Sequence, residues 1–595
     1  MRHPHYLKLN NSSEYPRHCI WFDTETTPVQ IAPDTIKHVL KFGWACYRRR
    51  ARGHKWSKPH WYRFTTLDQF WLWVTEHVGK KEAITMFAHN GSFDLPVLDA
   101  FNWLQDDEWQ LKNAVIDSPP IILKWAKEGR SIKFIDTLNI WRMSLKAIGE
   151  SINLPKLDMP EGWDDEKLSD EYCIRDVEII MHAVLKWFDF LREHDLGGFA
   201  PTLASQAVRA YRHRFMKHKI LIDDNEDALT MARDAYHGGR TECFFIGETK
   251  TKLYQLDVNS MYPDIMSKCL MPTVLIGVFK RVKHLELHKL IKTCSVIAEV
   301  RLKTNEPAYS QYKDGKLIFP IGEFDATLST PEVQYALDNG HIKSIDKVAI
   351  YQQEVIFKDY VEYLYNIRQE YKKAGNTSSS NMAKIMMNSL YGKFGQRGRV
   401  YETIENNDEH TIRTWTEIDA DTKQVIQYRQ FAGMVQQLTE EPESRDSHPA
   451  IAAHVTAFAR MAMWETYKKA GLENCYYSDT DCVVVNQKGY VNLESLIDEH
   501  QLGKLKLEKT ISFAAIRGAK DYRFDDTERI KGVRKSATWL DTNRVQQEQW
   551  AGLRGLMQKG DLTAPTTKTV IKNLKREYTK GNVQRNGRVE PYKQG

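Results

Sequence analysis

No stretch of this sequence approaches the roughly 20 consecutive apolar residues that a helix needs to cross a bilayer. Its apolar runs are short, as at Cys482 to Val485, and the polar start MRHPHYLKLNNSSE has no signal-peptide core. Membrane and secreted classes are set aside, and an intracellular protein is expected. Cysteine is also sparse. The eight thiols (Cys19, Cys46, Cys173, Cys243, Cys269, Cys294, Cys475 and Cys482) include no C-x-x-C pair, which argues against a zinc ribbon or disulfide framework. A large excess of one charge is missing too: 84 Lys+Arg against 78 Asp+Glu leave +6, too little to point to nucleic acid. Its distribution says more. From Lys531 to Gly595 there are 14 Lys+Arg and 5 Asp+Glu, so the end of the chain suits a polyanion.

What is present fits a multidomain enzyme. Hydrophobic residues at 42% and charged residues at 27% separate the chain from disordered sequences, and 595 residues exceed what one hydrophobic core accommodates. The run Cys19-Ile-Trp-Phe-Asp-Thr-Glu-Thr-Thr-Pro28 reads as a buried strand stopped by its proline, with Asp23 and Glu25 on one face because side chains at i and i+2 share a face. Phe87-Ala-His-Asn-Gly-Ser-Phe-Asp94 follows an apolar stretch. Tyr172 and Asp176 lie at i and i+4 of a helical pattern, where a phenol and a carboxylate can converge on one water. Paired carboxylates are hard oxygen ligands suited to Mg²⁺ and to phosphodiester hydrolysis.

The helical stretch from Val177 to Arg192 leads to Gly197 and Gly198, where a domain boundary is expected. Three further motifs follow. Tyr254-Gln-Leu-Asp-Val-Asn-Ser-Met-Tyr-Pro263 reads as strand, turn and helix, with Asp257 at the strand end and Pro263 in the first helical turn. In Lys384-Ile-Met-Met-Asn-Ser-Leu-Tyr-Gly392, the residues Lys384, Asn388 and Tyr391 share one helical face. Tyr476-Tyr-Ser-Asp-Thr-Asp-Cys-Val-Val-Val485 reads as a hairpin presenting Asp479 and Asp481 at its turn.

Taken in order, D-x-E, N-x-x-F-D, Y-x-x-x-D, D-x-x-S-x-Y-P, K-x-x-x-N-S-x-Y-G and Y-x-D-T-D resemble the motifs of family B DNA polymerases, over most of the chain from Asp23 to Tyr522. Cys482 stands where the family often has serine. The resemblance implies an α/β multidomain fold: an RNase H-like 3′–5′ exonuclease domain (1–195), then a right-hand polymerase domain (196–595). The palm is expected at 196–272, 356–366 and 441–530, the fingers at 367–395 and the thumb at 531–595. It assigns exonuclease metal ligands to Asp23, Glu25, Asp94 and Asp176, with Tyr172 orienting the attacking water. Thr26, His89, Asn90, Phe93, Thr137 and Leu138 would contact single-stranded DNA. Phe93 could equally be core.

For synthesis the resemblance implies metal binding by Asp257, the Val258 carbonyl, Asp479 and Asp481. Tyr262 would be a steric gate against a ribose 2′-hydroxyl. Lys384, Asn388, Tyr391 and Lys372 would bind the incoming nucleotide, with Lys373 adjacent to Lys372 as a rival. Gly392, Tyr236, Gly238 and Gly239 would lie along DNA, and Lys520 with Tyr522 would steady the primer terminus. Lys156, in Leu154-Pro-Lys-Leu-Asp158, resembles a lysine that protein-primed members place beside the scissile phosphate; a solvated loop lysine is the alternative. With Lys156 and the compact length, spacers at 273–355 and 396–440 match two inserted terminal-protein regions of that branch, although the second could be an ordinary structural insertion. Two Mg²⁺ at each site, Mn²⁺ substituting, are expected. So are DNA template and primer, dNTPs and a terminal-protein primer, with the chain a monomer or a heterodimer in a host cytoplasm. A family B polymerase using a nucleic acid primer or no primer, a replication scaffold without activity, and an exonuclease alone are the competing readings.

Overall fold

The computed structural model describes residues 2–595 except 52–53, 80–81, 118, 162–164, 399, 422 and 440–442. Cys19, Ile20, Trp21 and Phe22 are fully buried. Their strand, His18–Ala32, runs inside a mixed ten-stranded sheet, antiparallel to Thr35–Arg49 and parallel to Ala83–Ala88. Ala83–Ala88 pairs in parallel with Arg130–Asp136. Parallel neighbours need covering helices. One is Glu166–Glu193, started by the Asp165 side chain accepting from the Leu168 N–H, with Cys173, Val177, Ile180, Val184, Trp187 and Leu191 among its buried residues. It packs on the strands His18–Ala32 and Thr35–Arg49. Truncating the fully buried Trp187 to alanine would cost about 3–5 kcal/mol.

Pro28 does not stop its strand, contrary to the sequence reading. The ladder continues with Pro28 opposite His38. Pairing with Ala83–Ala88 has ended at Trp21, and a proline is tolerated where one strand edge is free.

The second half is centred on an antiparallel sheet in the order Thr241–Cys243, Cys475–Asp479, Cys482–Asn486, Leu253–Val258, Leu505–Ile511. The helix Pro449–Ala470 is buried nearly all round, begins with proline and ends at Gly471, whose φ of 85° is open to glycine. Helices Lys358–Lys373 and Thr377–Asn388 pack as a hairpin. Two β-rich insertions fall close to the expected spans. The first is built on the strands Met271–Lys280, Ile342–Glu354, Ser295–Thr304 and Ile321–Ser329, and the second on Tyr401–Asn406, Met434–Leu438, Val425–Phe431 and Arg413–Ile418. The expected end of the second insertion, at 440, lies outside the described residues.

The packing departs from the sequence division at three places. The strands Arg544–Trp550 and Thr566–Asn573, expected in a separate thumb, extend the first sheet, because the long hairpin His18–Arg49 offers the Thr35–Lys37 edge to Thr566–Lys568. The N-terminal strand His5–Tyr6 pairs with Leu221–Ile222, beyond the expected boundary at 195. The palm–fingers division at 366/367 falls inside the continuous helix Lys358–Lys373. Among the described residues no helix is long and apolar enough to cross a membrane.

Candidate functional site

Two acidic centres form. At the first, Asp23 and Glu25 come from the strand His18–Ala32 and Tyr172 and Asp176 from the helix packed on it. Asp94 lies in the short helix Gly91–Val97. The entry to that helix is set by Asn90, in the left-handed region at φ 71°, and by Asp136, whose carboxylate accepts from the Asn90 and Gly91 N–H groups at 3.0 Å each. The Thr24 hydroxyl donates to Asp94 Oδ1 at 2.7 Å. Lys156 is no solvated loop lysine: it pairs with Asp176, and its Nζ lies 4.3 Å from the centre of the Tyr172 ring.

Burial, then the neighbouring acids, dominates the electrostatics. Asp23 is raised well above the usual carboxylate range by burial, Asp94, Asp176 and Glu25. Burial and Asp176 push Glu25 up to about 8, and Asp94 reaches about 7 through burial against the pull of the Thr24 hydroxyl. Burial works against the charge of Lys156, yet Asp176 holds it above its ordinary value. Hard oxygens crowded until they resist ionisation are a donor set that a divalent cation such as Mg²⁺ relieves. The Cys173 thiol also lies there, with ligand atoms of Asp23, Glu25 and Cys173 within 4.8 Å of one another.

The residues expected to touch single-stranded DNA divide into two groups. Asn90 is exposed, while Thr26, Phe93 and Leu138 are half-buried. Phe93 makes edge contacts with His38 and Trp550, at centroid distances of 5.7 and 5.6 Å. His89 and Thr137 are engaged internally. The His89 Nδ1 lies 2.8 Å from Thr137 Oγ1, its Nε2 lies 2.9 Å from the Met143 carbonyl, and burial lowers it to about 4. Thr137 is buried and donates to the Ala88 carbonyl at 3.0 Å.

At the second centre Asp257 lies on the strand Leu253–Val258, opposite Cys482 across the ladder. Asp479 ends its strand, and Asp481 follows Thr480, which adopts φ 63° to turn the hairpin. The Val258 N–H donates to the Asp481 carbonyl at 2.8 Å, locking the two strands at the site. Burial, Asp481 and Glu508 push Asp257 up to about 7, against Lys506 and Lys384; burial raises Asp481 as well. These hard donors also fit Mg²⁺.

The aspartates stand between two cavities. One, of ≈ 470 Å³, is lined by Asp257, Asp481, Tyr262, Arg368, Lys372, Lys384, Asn388 and Tyr391. Lys373 does not line it. The other, of ≈ 310 Å³, joins Asp257, Asp479 and Asp481 to Lys509, Tyr522 and Arg529. Tyr262 and Tyr391 stack at 4.8 Å. Tyr391 reaches the cavity by a different route from the one helical face expected. The helix Thr377–Asn388 ends at Ser389 and Tyr391 belongs to the next short helix, Leu390–Phe394, the Ser389 hydroxyl donating back to the Ile385 carbonyl at 2.6 Å. Lys520 Nζ lies 3.5 Å from Asp479 Oδ1. A Cβ at Gly239 would meet Thr480 at 2.8 Å and the Tyr262 hydroxyl at 3.1 Å, whereas Gly238 and Gly392 face open space. Tyr236 packs beside Gly395.

Residues 153–470, more than half of the chain, match the family model described as DNA polymerase type B, organellar and viral. The chain belongs to that family. A probable DNA polymerase of Neurospora intermedia is 24% identical to this chain over 391 residues, 60% of the chain and 38% of the relative. The DNA-directed DNA polymerase of Enterobacteria phage PRD1 is 24% identical over 522 residues, covering 84% of the chain and 82% of the relative. The matches span 33–40% of the length of the first three curated relatives. Phi29 DNA polymerase, solved with primer-template DNA and incoming nucleotides, shares the fold at TM-score 0.66 and 17% identity, over 94% of this chain and 100% of that one.

Several residues of the two centres carry no signal that reading the sequence picked up. Arg368 lines the larger cavity one helical turn before Lys372, and its Nη1 donates to Ser260 Oγ at 3.3 Å. The i, i+4 spacing could have found it. Asp136, Thr24 and Cys173 act through tertiary neighbours that no local pattern announces.

Proposed function

We propose that the chain is a DNA-directed DNA polymerase with a 3′–5′ exonuclease, replicating a linear genome from a protein primer. One observation carries the reading: three aspartates between a cavity walled by Arg368, Lys372 and Lys384 and a second, aromatic and basic cavity, with a separate acidic centre elsewhere in the chain. In the larger cavity the three cations neutralise a triphosphate, and the Tyr262–Tyr391 stack closes over the sugar so that a 2′-hydroxyl has no room. Asn388 faces the same nucleotide. In the smaller cavity Tyr522 and Lys509 hold the primer end near the aspartates, with Lys520 pairing Asp479. Asp257, Asp479, Asp481 and the Val258 carbonyl would hold Mg²⁺ or Mn²⁺. When bound, such ions favour ionisation of the attacking hydroxyl and stabilise charge on the departing pyrophosphate.

At the first centre Asp23, Glu25, Asp94 and Asp176 would hold the ions, Tyr172 orients the attacking water, and Lys156 lies where it can offset charge on the scissile phosphate. Asn90, Thr26, Leu138 and Phe93 lie on the approach, where a phenyl ring suits an unpaired base of any identity. His89 and Thr137 act by shaping that approach. Tyr236, Gly238, Gly239 and Gly392 line the template path. The first insertion receives the terminal protein. The second insertion, together with the basic strands near the C-terminus, encloses duplex DNA and supports processive strand displacement.

Extension of a primed template with dNTPs and Mg²⁺ tests the polymerase, and transfer of a labelled dNMP to a purified candidate terminal protein tests the priming mode. A wild-type protein that degrades DNA but never extends it overturns the first proposal. Label appearing only on a nucleic acid primer overturns the second.

A further inference from the structure

Two buried arginines, Arg460 from outside and Arg240 from within, hold the segment Tyr236–Cys243, which touches the second acidic centre without contributing an acid to it. Arg460 lies on the central helix and is 2% exposed. Its Nη2 reaches Glu332 Oε1 at 2.8 Å and its Nη1 donates to the His237 carbonyl at 2.7 Å, holding the glycine loop from behind. Arg240 is more tightly held. Its Nε donates to Glu242 Oε2 at 2.7 Å, its Nη1 donates to the Pro307 carbonyl at 2.7 Å, and its guanidinium carbon lies 4.0 Å from the centre of the Phe319 ring. Trp464 and Tyr467 complete the aromatic surround. A planar fork clamped in this way has no freedom to translate.

The backbone of Arg240 supports the metal turn. Its carbonyl accepts the Thr480 N–H at 2.7 Å, and the next residue, Thr241, donates from its hydroxyl to Asp479 Oδ1 at 2.8 Å. Thr480 sits at φ 63°, a conformation that β-branched residues disfavour and that surrounding structure must enforce. Its side chain is also the nearest neighbour of Gly239. We infer that Arg240 is a positioning residue for nucleotidyl transfer: clamped to Glu242, Pro307 and Phe319, it fixes the Thr480 turn so that Asp479 and Asp481 converge with Asp257. This rests on the polymerase reading above. Because Pro307 and Phe319 belong to the first insertion, the clamp also ties that insertion to the acids.

The test uses the full chain with Arg240→Met and, as a milder change, Phe319→Leu. In an Asp23→Ala background, which removes an acid of the other centre, Mn²⁺ binding is followed by the electron paramagnetic resonance of the free ion. Arg240→Met is expected to weaken the polymerase-site component about 10- to 100-fold, the range for losing an outer partner of a metal ligand. Phe319→Leu is expected to shift it in the same direction by less. With Asp23 intact, single-strand degradation stays within about twofold of wild type, and the Mg²⁺ concentration for half-maximal extension rises while KM for dNTP changes little, as expected when ion placement rather than nucleotide binding is lost. Unchanged Mn²⁺ affinity in Arg240→Met overturns the inference. So does a parallel loss of degradation and extension in an Arg240→Met protein that remains folded by circular dichroism. If Arg240→Met does not fold, an unshifted Phe319→Leu overturns it alone. Failure of wild type to extend any primer sinks the polymerase reading instead, whatever the variants bind.

Discussion

The two acidic centres use the same ligand chemistry but solve the problem of holding it differently. The first centre draws its acids from a strand, a short helix and a long helix, and Lys156 lies within it as a built-in counter-charge. The second centre takes Asp257 and Asp479 from the two strands that flank Cys482–Asn486 and Asp481 from the hairpin turn, with Arg368, Lys372 and Lys384 across an open cavity. A centre that cuts one strand can keep its cation in place. One that admits a triphosphate and releases pyrophosphate needs cations arranged around an empty volume.

The largest expected effect separates the centres outright. Asp481→Ala should lower primer extension about 10³-fold or more, since several kcal/mol of charge stabilisation depends on the ions such acids hold, with degradation unchanged; Asp23→Ala should do the reverse. Parallel assays of extension and single-strand degradation decide it, and equal losses in both would merge the two centres. Next, Lys156→Met should cut degradation about 10²-fold, as loss of one electrostatic donor does, while extension holds. Timed hydrolysis of a labelled strand measures this. No loss would make the lysine a structural partner of Asp176 alone.

pH should move the two halves in opposite directions. Burial lowers His454 to about 4, so its ring stays neutral in the fold and the unfolded chain takes up more protons between about pH 6.5 and 4. The stability this group confers is present above pH 6.5 and lost as pH falls through 4, about 2 kcal/mol of it between pH 7 and 5. Urea denaturation at the two pH values, wild type against His454→Gln, should show that difference. Glu25 has the opposite sign. Burial raises it to about 8, so in chelator the stability it confers is present below about pH 4.5 and lost as pH rises through 8, until Mg²⁺ restores it. The smallest effect tests the bridge between the halves. Trp550→Ala removes ring contacts with His38 and Phe93, at 4.8 and 5.6 Å, and should cost about 1 kcal/mol beyond lost burial in a double-mutant cycle with Phe93→Leu.

The legibility of the molecule followed the range of the interactions. Asp23 with Glu25, Tyr172 with Asp176, and the Asp479–Asp481 turn were readable because strand and helix periods place neighbours over two to four residues. The two insertions were readable as spacers between motifs. The end of the helix at Asn388, where the Ser389 hydroxyl bonds back to the Ile385 carbonyl, was not, because the same residues fit a continuous helix on paper. Pro28 misled because proline stops a strand only where its missing N–H is needed. The fusion of the C-terminal strands with the first sheet had no local signal, since Thr35–Lys37 and Thr566–Lys568 are joined only by backbone pairing.

By itself the sequence determined the chemistry: which side chains are acids, which are cations, and how they fall along each element, because those depend on residue type and on the periods of strand and helix. Tertiary structure alone decided their company. Asp257 meets Asp481 across a strand ladder, Asp176 meets Lys156 beneath a tyrosine ring, and Arg240 reaches Pro307 and Phe319. Such meetings arise from burial and backbone hydrogen bonding summed over the whole chain, so the carboxylates near pH 7 and 8 and the strained turn at Thr480 exist only once it has folded.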